Sequence, residues 1–301
     1  MRIALLTCCW MILVGATSVA PAKTLYVNNQ MGSDTASGLT AEPQIDNGPL
    51  KTIEAALILA DKADRIVIAN TGVPYHEAIS LSKPNHSGYR NKPLVIEGNG
   101  AVLDGTVGHE LGAWKHVQGN VFAMQPRRIT YQQLFDGALP LQRVELLSTD
   151  ELANLQPKTW GLLDGKIYFC TEEQKIPADY ELRHAGLQTG ITLYMVRHVR
   201  IENLVVQGFQ QDGVNAHELV QDCELVDIDL RANGRAGLSV GGVSRVSVSQ
   251  GNFYDNGRVQ VRTEGLGELE LAASEVDDST APAYRTKGRK LLVDGQPISA
   301  P

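Results

Sequence analysis

Six side chains suited to chemistry fall within one stretch of this chain: Asn215, His217, Arg235, Arg258, Gln260 and Arg262. Three short segments there pair apolar residues at alternate positions, Val214/Ala216, Leu238/Val240 and Val259/Val261. With those turned inward, alternation turns Asn215, His217, Ser239, Gly241, Gln260 and Arg262 outward. Stacked in that order, His217, Gly241 and Arg262 form a column, the histidine and arginine about 10 Å apart. The glycine between them leaves a hollow. A uronic acid lying there would offer its carboxylate to Arg262 and its C5 proton to His217. β-Elimination needs that pairing, a neutralised carboxylate beside a base that takes the proton. Imidazole is the side chain best matched to such a base near neutral pH. Asn215 and Gln260 are the expected substrate-binding amides beside this pair. A surface histidine with no task is the plainer alternative.

Arg235 and Arg258 each follow an Asn-Gly pair and lie 23 residues apart, so they are expected to stack on one edge. From 231 to 262 five arginines face a single acid, Asp255, a local charge of +4 within a chain of formal charge −7. Stacked guanidinium groups repel unless solvated or bridged, which predicts an anionic ligand on Arg235 and Arg258. The competing expectation is neutralisation by carboxylates of neighbouring segments, such as Asp212 or Glu264.

The elements that must position these residues recur. Phe209-Gln-Gln-Asp212-Gly213, Leu230-Arg-Ala-Asn233-Gly234, Phe253-Tyr-Asp-Asn256-Gly257 and Val276-Asp-Asp-Ser279 place apolar leaders at steps of 21, 23 and 23. Each unit holds short alternating segments broken by turn residues, the mark of a strand repeat. One such coil cannot bury its apolar face alone, whereas coils stacked about 4.7–4.9 Å apart bury a continuous core. Asn233 is expected to lie over Asn256 as a ladder of turn amides.

Toward the N-terminus, Ile53–Ala63 reads as an amphipathic helix, followed by strands at Arg65–Ala69, His76–Leu81 and Leu94–Glu97. Such a helix would cover the open edge of the first coil. Tyr26-Val27, Gly32-Ser33-Asp34, Gly38-Leu39-Thr40, Pro49, Lys51-Thr52-Ile53 and Ala55-Ala56 resemble the N-terminal signature of secreted right-handed parallel β-helix proteins, the pectate-lyase-like superfamily, and Tyr75-His76-Glu77 is similar to the first coil of that family. The resemblance covers most of residues 24–108 and 186–280. It implies an all-β solenoid, a right-handed parallel β-helix with an N-terminal capping helix, and a polysaccharide partner. Signatures of the family's enzymes are missing: no Trp-Ile-Asp-His segment, no Gly-His-Gly, no Asp-Pro-His. Asp34 is a candidate calcium ligand, with a structural loop as the alternative; no cofactor is required by the sequence, and no metal site is assigned.

Between about 109 and 185 the rhythm changes. Trp114–Val117, Val121–Met124, Gln132–Phe135, Leu139–Val144 and Trp160–Thr171 read as antiparallel strands of a small insertion, with hairpin turns at Asp136-Gly137 and Asp164-Gly165 and a short helix at Thr149–Leu155. Trp114 and Trp160 fall in it, for packing or for stacking on sugar rings. Residues 281–301 read as a tail or cap.

Composition sets the remaining bounds. Arg2, an apolar run from Ile3 to about Val19, and Ala20-Pro21-Ala22 read as a secretory signal cleaved after Ala22, with a lipoprotein site at Cys8 as the alternative. The expected location is therefore outside the cytoplasm, secreted or periplasmic. Without the signal the chain carries 26 basic and 34 acidic residues, since only Arg2 leaves. That balance disfavours nucleic acid and anionic membranes as partners, and no later stretch suits a membrane span. Only Cys170 and Cys223 remain, read as two buried thiols rather than a bridge. Oligomeric state is not legible. The leading expectation is a carbohydrate-active protein acting on or binding an acidic polysaccharide, by β-elimination if it is an enzyme. The alternative is a non-catalytic β-helix that presents a surface or binds a glycan. A glycoside hydrolase ranks last, because the outward set of the second segment offers no pair of carboxylates.

Overall fold

The computed structural model describes residues 22–298 other than 46, 111, 128 and 129. The signal reading falls almost wholly on residues 1–21 and lies outside the described residues. Two parallel sheets run the length of the molecule. The longer stacks Thr24–Val27, Arg65–Ile68, Leu94–Asp104, Val199–Gln207, Cys223–Arg231, Arg245–Tyr254, Glu268–Ala272 and Lys290–Val293. The shorter stacks Ile79–Leu81, Ile191–Tyr194, Asp212–His217, Ala236–Val240, Val259–Glu264 and Tyr284–Lys287. Thr24–Val27 and Arg65–Ile68 both join the longer sheet; from Arg65–Ile68 onward the chain alternates between the two, so each later coil contributes one strand to each sheet. The apolar faces meet in one continuous core from Leu25 to Leu291.

The long strands turn a corner at the same level in every coil. Asn203, Asp227, Gln250 and Ala273 follow one another in register, and all four adopt left-handed backbone, with φ between 47° and 56°. Asn and Asp tolerate that conformation best, which accounts for two of the four. Further round the coil the predicted turn ladder is present. Asn256 Oδ1 accepts from Asn233 N (2.9 Å) and Nδ2 (3.1 Å), and Asn256 Nδ2 donates to Leu230 O at 2.8 Å. Both amides are fully buried.

The register corrects the repeat at one point. Val206, not Phe209, stacks under Leu230, which stacks under Phe253 and then Val276, giving steps of 24, 23 and 23. Phe209 belongs to the next turn, where its N–H donates to Asn233 Oδ1 at 3.2 Å.

The helix is shorter than its pattern, Ile53–Leu59. It starts at Thr52, whose hydroxyl accepts from Ala55 N at 3.1 Å. Two carboxylates take the remaining free N–H groups of that end: Asp34 accepts from Lys51 N and Thr52 N, both 2.9 Å, and Glu77 from Ile53 N (3.0 Å) and Glu54 N (3.1 Å). Ile53, Ala56 and Leu57 are buried in the solenoid core.

The insertion has its own core of Met124, Leu134, Trp160, Ile167, Phe169 and Leu182. Trp160 is fully buried and donates to Leu141 O at 2.9 Å, so this tryptophan packs rather than faces a ligand. The predicted short helix is a 3-10 turn, Thr149–Asn154. Gln133 anchors the insertion to the turn ladder, its amide donating to Asp255 O (3.0 Å) and Asn233 O (3.5 Å). Cys170 and Cys223 are both free and buried. The tail adds a further coil through Tyr284–Lys287 and Lys290–Val293, then folds back as a hairpin with Gln296–Pro297. Among the described residues no helix is long and apolar enough to cross a membrane.

Candidate functional site

The outer face of the shorter sheet carries most of the predicted site residues, in a different arrangement. Asn215 stacks on Ser239, and Ser239 on Arg262. Tyr194 stacks on His217, and the next positions along that line are Gly241 and Glu264. His217 and Arg262 are therefore in neighbouring columns rather than one. The predicted column slipped by two residues on its last strand. A slip of two keeps every side chain on its proper face, so alternation alone cannot detect it.

The polar residues meet different fates. Gln260 is fully buried, not outward: its Oε1 accepts from Asn256 Nδ2 at 2.7 Å, and the tail covers its strand through Gln260 N–H to Pro282 O at 2.9 Å. It belongs to the turn ladder. Arg235 grips Asp212, Nε to Oδ1 at 2.8 Å and Nη2 to Oδ2 at 2.5 Å. Asn215 Nδ2 adds a third bond to that carboxylate at 3.0 Å. Burial pushes the Asp212 carboxyl up, and the guanidinium fork opposes the shift. Arg262 is ion-paired to Glu264. Both arginines thus hold carboxylates, Arg235 one from the neighbouring coil as the competing expectation had it, and Arg262 one from its own strand. Arg258 stacks instead over the ring of Tyr131 from the insertion, 5.9 Å to the centroid.

One hollow of about 400 Å³ opens at the far end of these strands, lined by Asn215, His217, Glu218, Ser239, Gly241, Gly242, Glu264 and Gly265. Gly242 has left-handed backbone, and a Cβ there would come within 2.8 Å of the Glu218 N, so this wall requires glycine. Tyr194 extends the platform, its ring 5.2 Å from that of His217. Two carboxylates, an imidazole, a hydroxyl and an amide thus converge beside an aromatic ring. Such a set can bond sugar hydroxyls, stack on a pyranose face and exchange protons. Glu218 and Tyr194 were missed in the sequence, and Glu264 was read there only as a counter-charge for the arginines. The signal for Glu264 was present, because the 23-residue step from Arg235 to Arg258 also carries Gly241 onto Glu264.

A second concavity of about 680 Å³ separates the insertion from the solenoid, with His109, His184, Gln188 and Gln210 among its walls. Burial, then the neighbouring charges of His109 and Arg183, pushes the His184 imidazole down to about 4. Asp34, the candidate calcium ligand, spends its carboxylate on the helix start described above. Among the described residues no three His, Cys, Asp or Glu side chains group as a metal site.

No protein-family model matches the sequence, and no curated protein matches it. Solved structures do. A glycoside hydrolase superposes with a TM-score of 0.61 at 11% identity, over 84% of this chain and 73% of that one. The fold is a parallel β-helix. XylC in complex with xylose (TM-score 0.46, 12% identity, 90% of this chain and 63% of that one) and pectate lyase Pel9A (0.44, 11%, 88% and 58%) align less closely. At these identities the likeness of the β-helix extends to the fold, and the chemistry rests on the site.

Proposed function

We propose that this β-helix protein acts outside the cytoplasm on a polysaccharide laid across the outer face of the shorter sheet, cleaving it hydrolytically at the His217 hollow. The observation that carries this reading is that Glu218 and Glu264 line one hollow. Glycoside hydrolysis uses a pair of carboxyl groups flanking the scissile bond, one to protonate the leaving oxygen and one to activate water or attack carbon. Arg262, bonded to Glu264, positions that carboxylate. The glycan is acidic in this reading, as Arg258, which stacks on Tyr131 and forms no ion pair among the described residues, suggests. The solenoid is right-handed, as parallel crossovers nearly always are, and the helix Ile53–Leu59 closes its first coil.

β-Elimination is the second reading, supported by the presence of His217 in the same hollow. It is weakened because Arg262 and Arg235 already hold carboxylates and the predicted His217–Arg262 column is absent. Incubating the exported protein with uronate-containing and neutral polymers separates the readings. New reducing ends without ultraviolet-absorbing product support hydrolysis, and unsaturated product supports elimination. Binding without turnover of any polymer would leave a glycan-binding protein.

A further inference from the structure

We propose that Arg143 of the insertion and Arg258 of the solenoid form an oxyanion subsite that takes a carboxylate or sulfate group of the glycan. The proposal rests on the glycan-binding reading above and adds the residues that recognise its charge.

Arg258 immediately precedes the strand Val259–Glu264, at the opposite end from the hollow. Arg143 lies on the short strand Gln142–Arg143 of the insertion, in register with Trp160. The two line one pocket of about 420 Å³ with Thr130, Tyr131, Leu162 and Gln211. No acid is among these residues. Neither arginine forms an ion pair among the described residues, in contrast to Arg235 and Arg262.

Both guanidinium groups are held by aromatic rings. Arg143 sits over Trp160 at 5.4 Å and Arg258 over Tyr131 at 5.9 Å. Stacking of this kind orients the planar fork while leaving its N–H edge free. Burial and the facing charge of Arg258 push the Arg143 guanidinium below the usual arginine range, with the exposed Glu145 opposing. Arginine nevertheless keeps its proton in proteins. Two fixed like charges around a pocket with no acid in its lining are relieved by a bound anion, and bidentate bonds to an oxyanion are what guanidinium forks make best. The Gln211 amide and Thr130 hydroxyl can add neutral bonds, and Tyr131 offers a ring to the sugar.

The strand from Arg258 to Glu264 spans about 20 Å at roughly 3.3 Å per residue. A glycan anchored at the arginines would therefore reach the hollow several sugar units away. The insertion supplies half of the subsite, which gives it a role in selecting the substrate.

Calorimetric titration of wild type, Arg143→Gln, Arg258→Gln and the corresponding Lys variants decides the matter, using oligo-uronate, sulfated and neutral oligosaccharides. Wild type is expected to prefer an anionic ligand, with affinity falling as salt rises. Each Gln variant should lose about tenfold or more of the affinity for that ligand, about 1.4 kcal/mol. Each Lys variant should lose less, and neutral oligosaccharide binding should stay unchanged. Preference for the uronate or for the sulfated ligand identifies the group. Circular dichroism and melting of each variant control for folding, with Arg258→Gln, on the exposed side, as the variant expected to fold normally. Equal affinity of wild type for anionic and neutral ligands, or anionic binding unaltered in a folded Arg258→Gln, would overturn the subsite. Failure of the hydrolytic reading appears separately, as charge-selective binding that persists without turnover.

Discussion

The carboxylate of Asp212, with no solvent-exposed side-chain surface, is bonded at both oxygens by the guanidinium of Arg235 one coil away. Breaking such a pair from one side leaves an uncompensated buried charge, which costs about 3–5 kcal/mol. Arg235→Ala is therefore expected to lower stability by about that amount in urea unfolding. Arg258→Ala, which leaves no buried partner, should change it by less than about 1 kcal/mol. Equal effects of the two substitutions would show that the Asp212–Arg235 pair contributes nothing particular to stability.

Asn256 carries the turn ladder. Asn256→Leu keeps the volume similar and strands the Asn233 N–H and the Leu230 carbonyl in the core. Unpaired groups of this kind cost about 1–3 kcal/mol each, so a loss of about 2–6 kcal/mol is expected in chemical denaturation. An unchanged midpoint would mean the ladder contributes nothing.

His184 predicts how stability responds to acid. The residue is 8% exposed, and its imidazole is held near 4 in the folded state, against 6.5 ordinarily. Between those values the unfolded chain takes up a proton that the folded chain refuses. The contribution is complete above about pH 6.5 and is lost as pH falls toward 4, on the order of 3 kcal/mol in all. His184→Gln removes the titration, so its stability should decline less steeply over that interval. Parallel pH profiles for the two proteins would remove His184 as the cause.

At the hollow, Glu218→Gln and Glu264→Gln are each expected to reduce turnover about 10²-fold or more, while His217→Ala has a smaller effect. The elimination reading reverses that order. Turnover measured on the most active polymer ranks the three side chains. Full activity in both glutamine variants would exclude the carboxylate pair.

What could be read from the sequence was what repeats locally. The inward set Val214, Leu238 and Val261, the stacked Asn233 and Asn256, and the insertion hairpins at Gly137 and Gly165 follow from alternation and turn residues. Register between coils was harder, because inside and outside recur every two residues. The slip that joined His217 to Arg262 therefore violated no local rule, and only the 23-residue step of the later coils argued against it. Gln260 looked outward because its strand is polar on that face, yet a tail from beyond Thr280 covers it. The partners of Arg258, namely Tyr131 and Arg143, come from the insertion more than a hundred residues earlier. No local pattern could connect them.

The Gln133 amide reaches carbonyls at two successive levels of the stack, Asn233 and Asp255. A stack whose units touch only their neighbours loses order from its ends inward, coil by coil. A side chain that grips two levels at once, from a segment with its own core, joins those coils and the insertion into one cooperative opening unit. Amides around Asn233 and Asn256 should then exchange with solvent together with those of the insertion, and later than those of the terminal coil at Lys290–Val293. The arginine pocket straddles that joint, so its two halves would separate only when the whole unit opens.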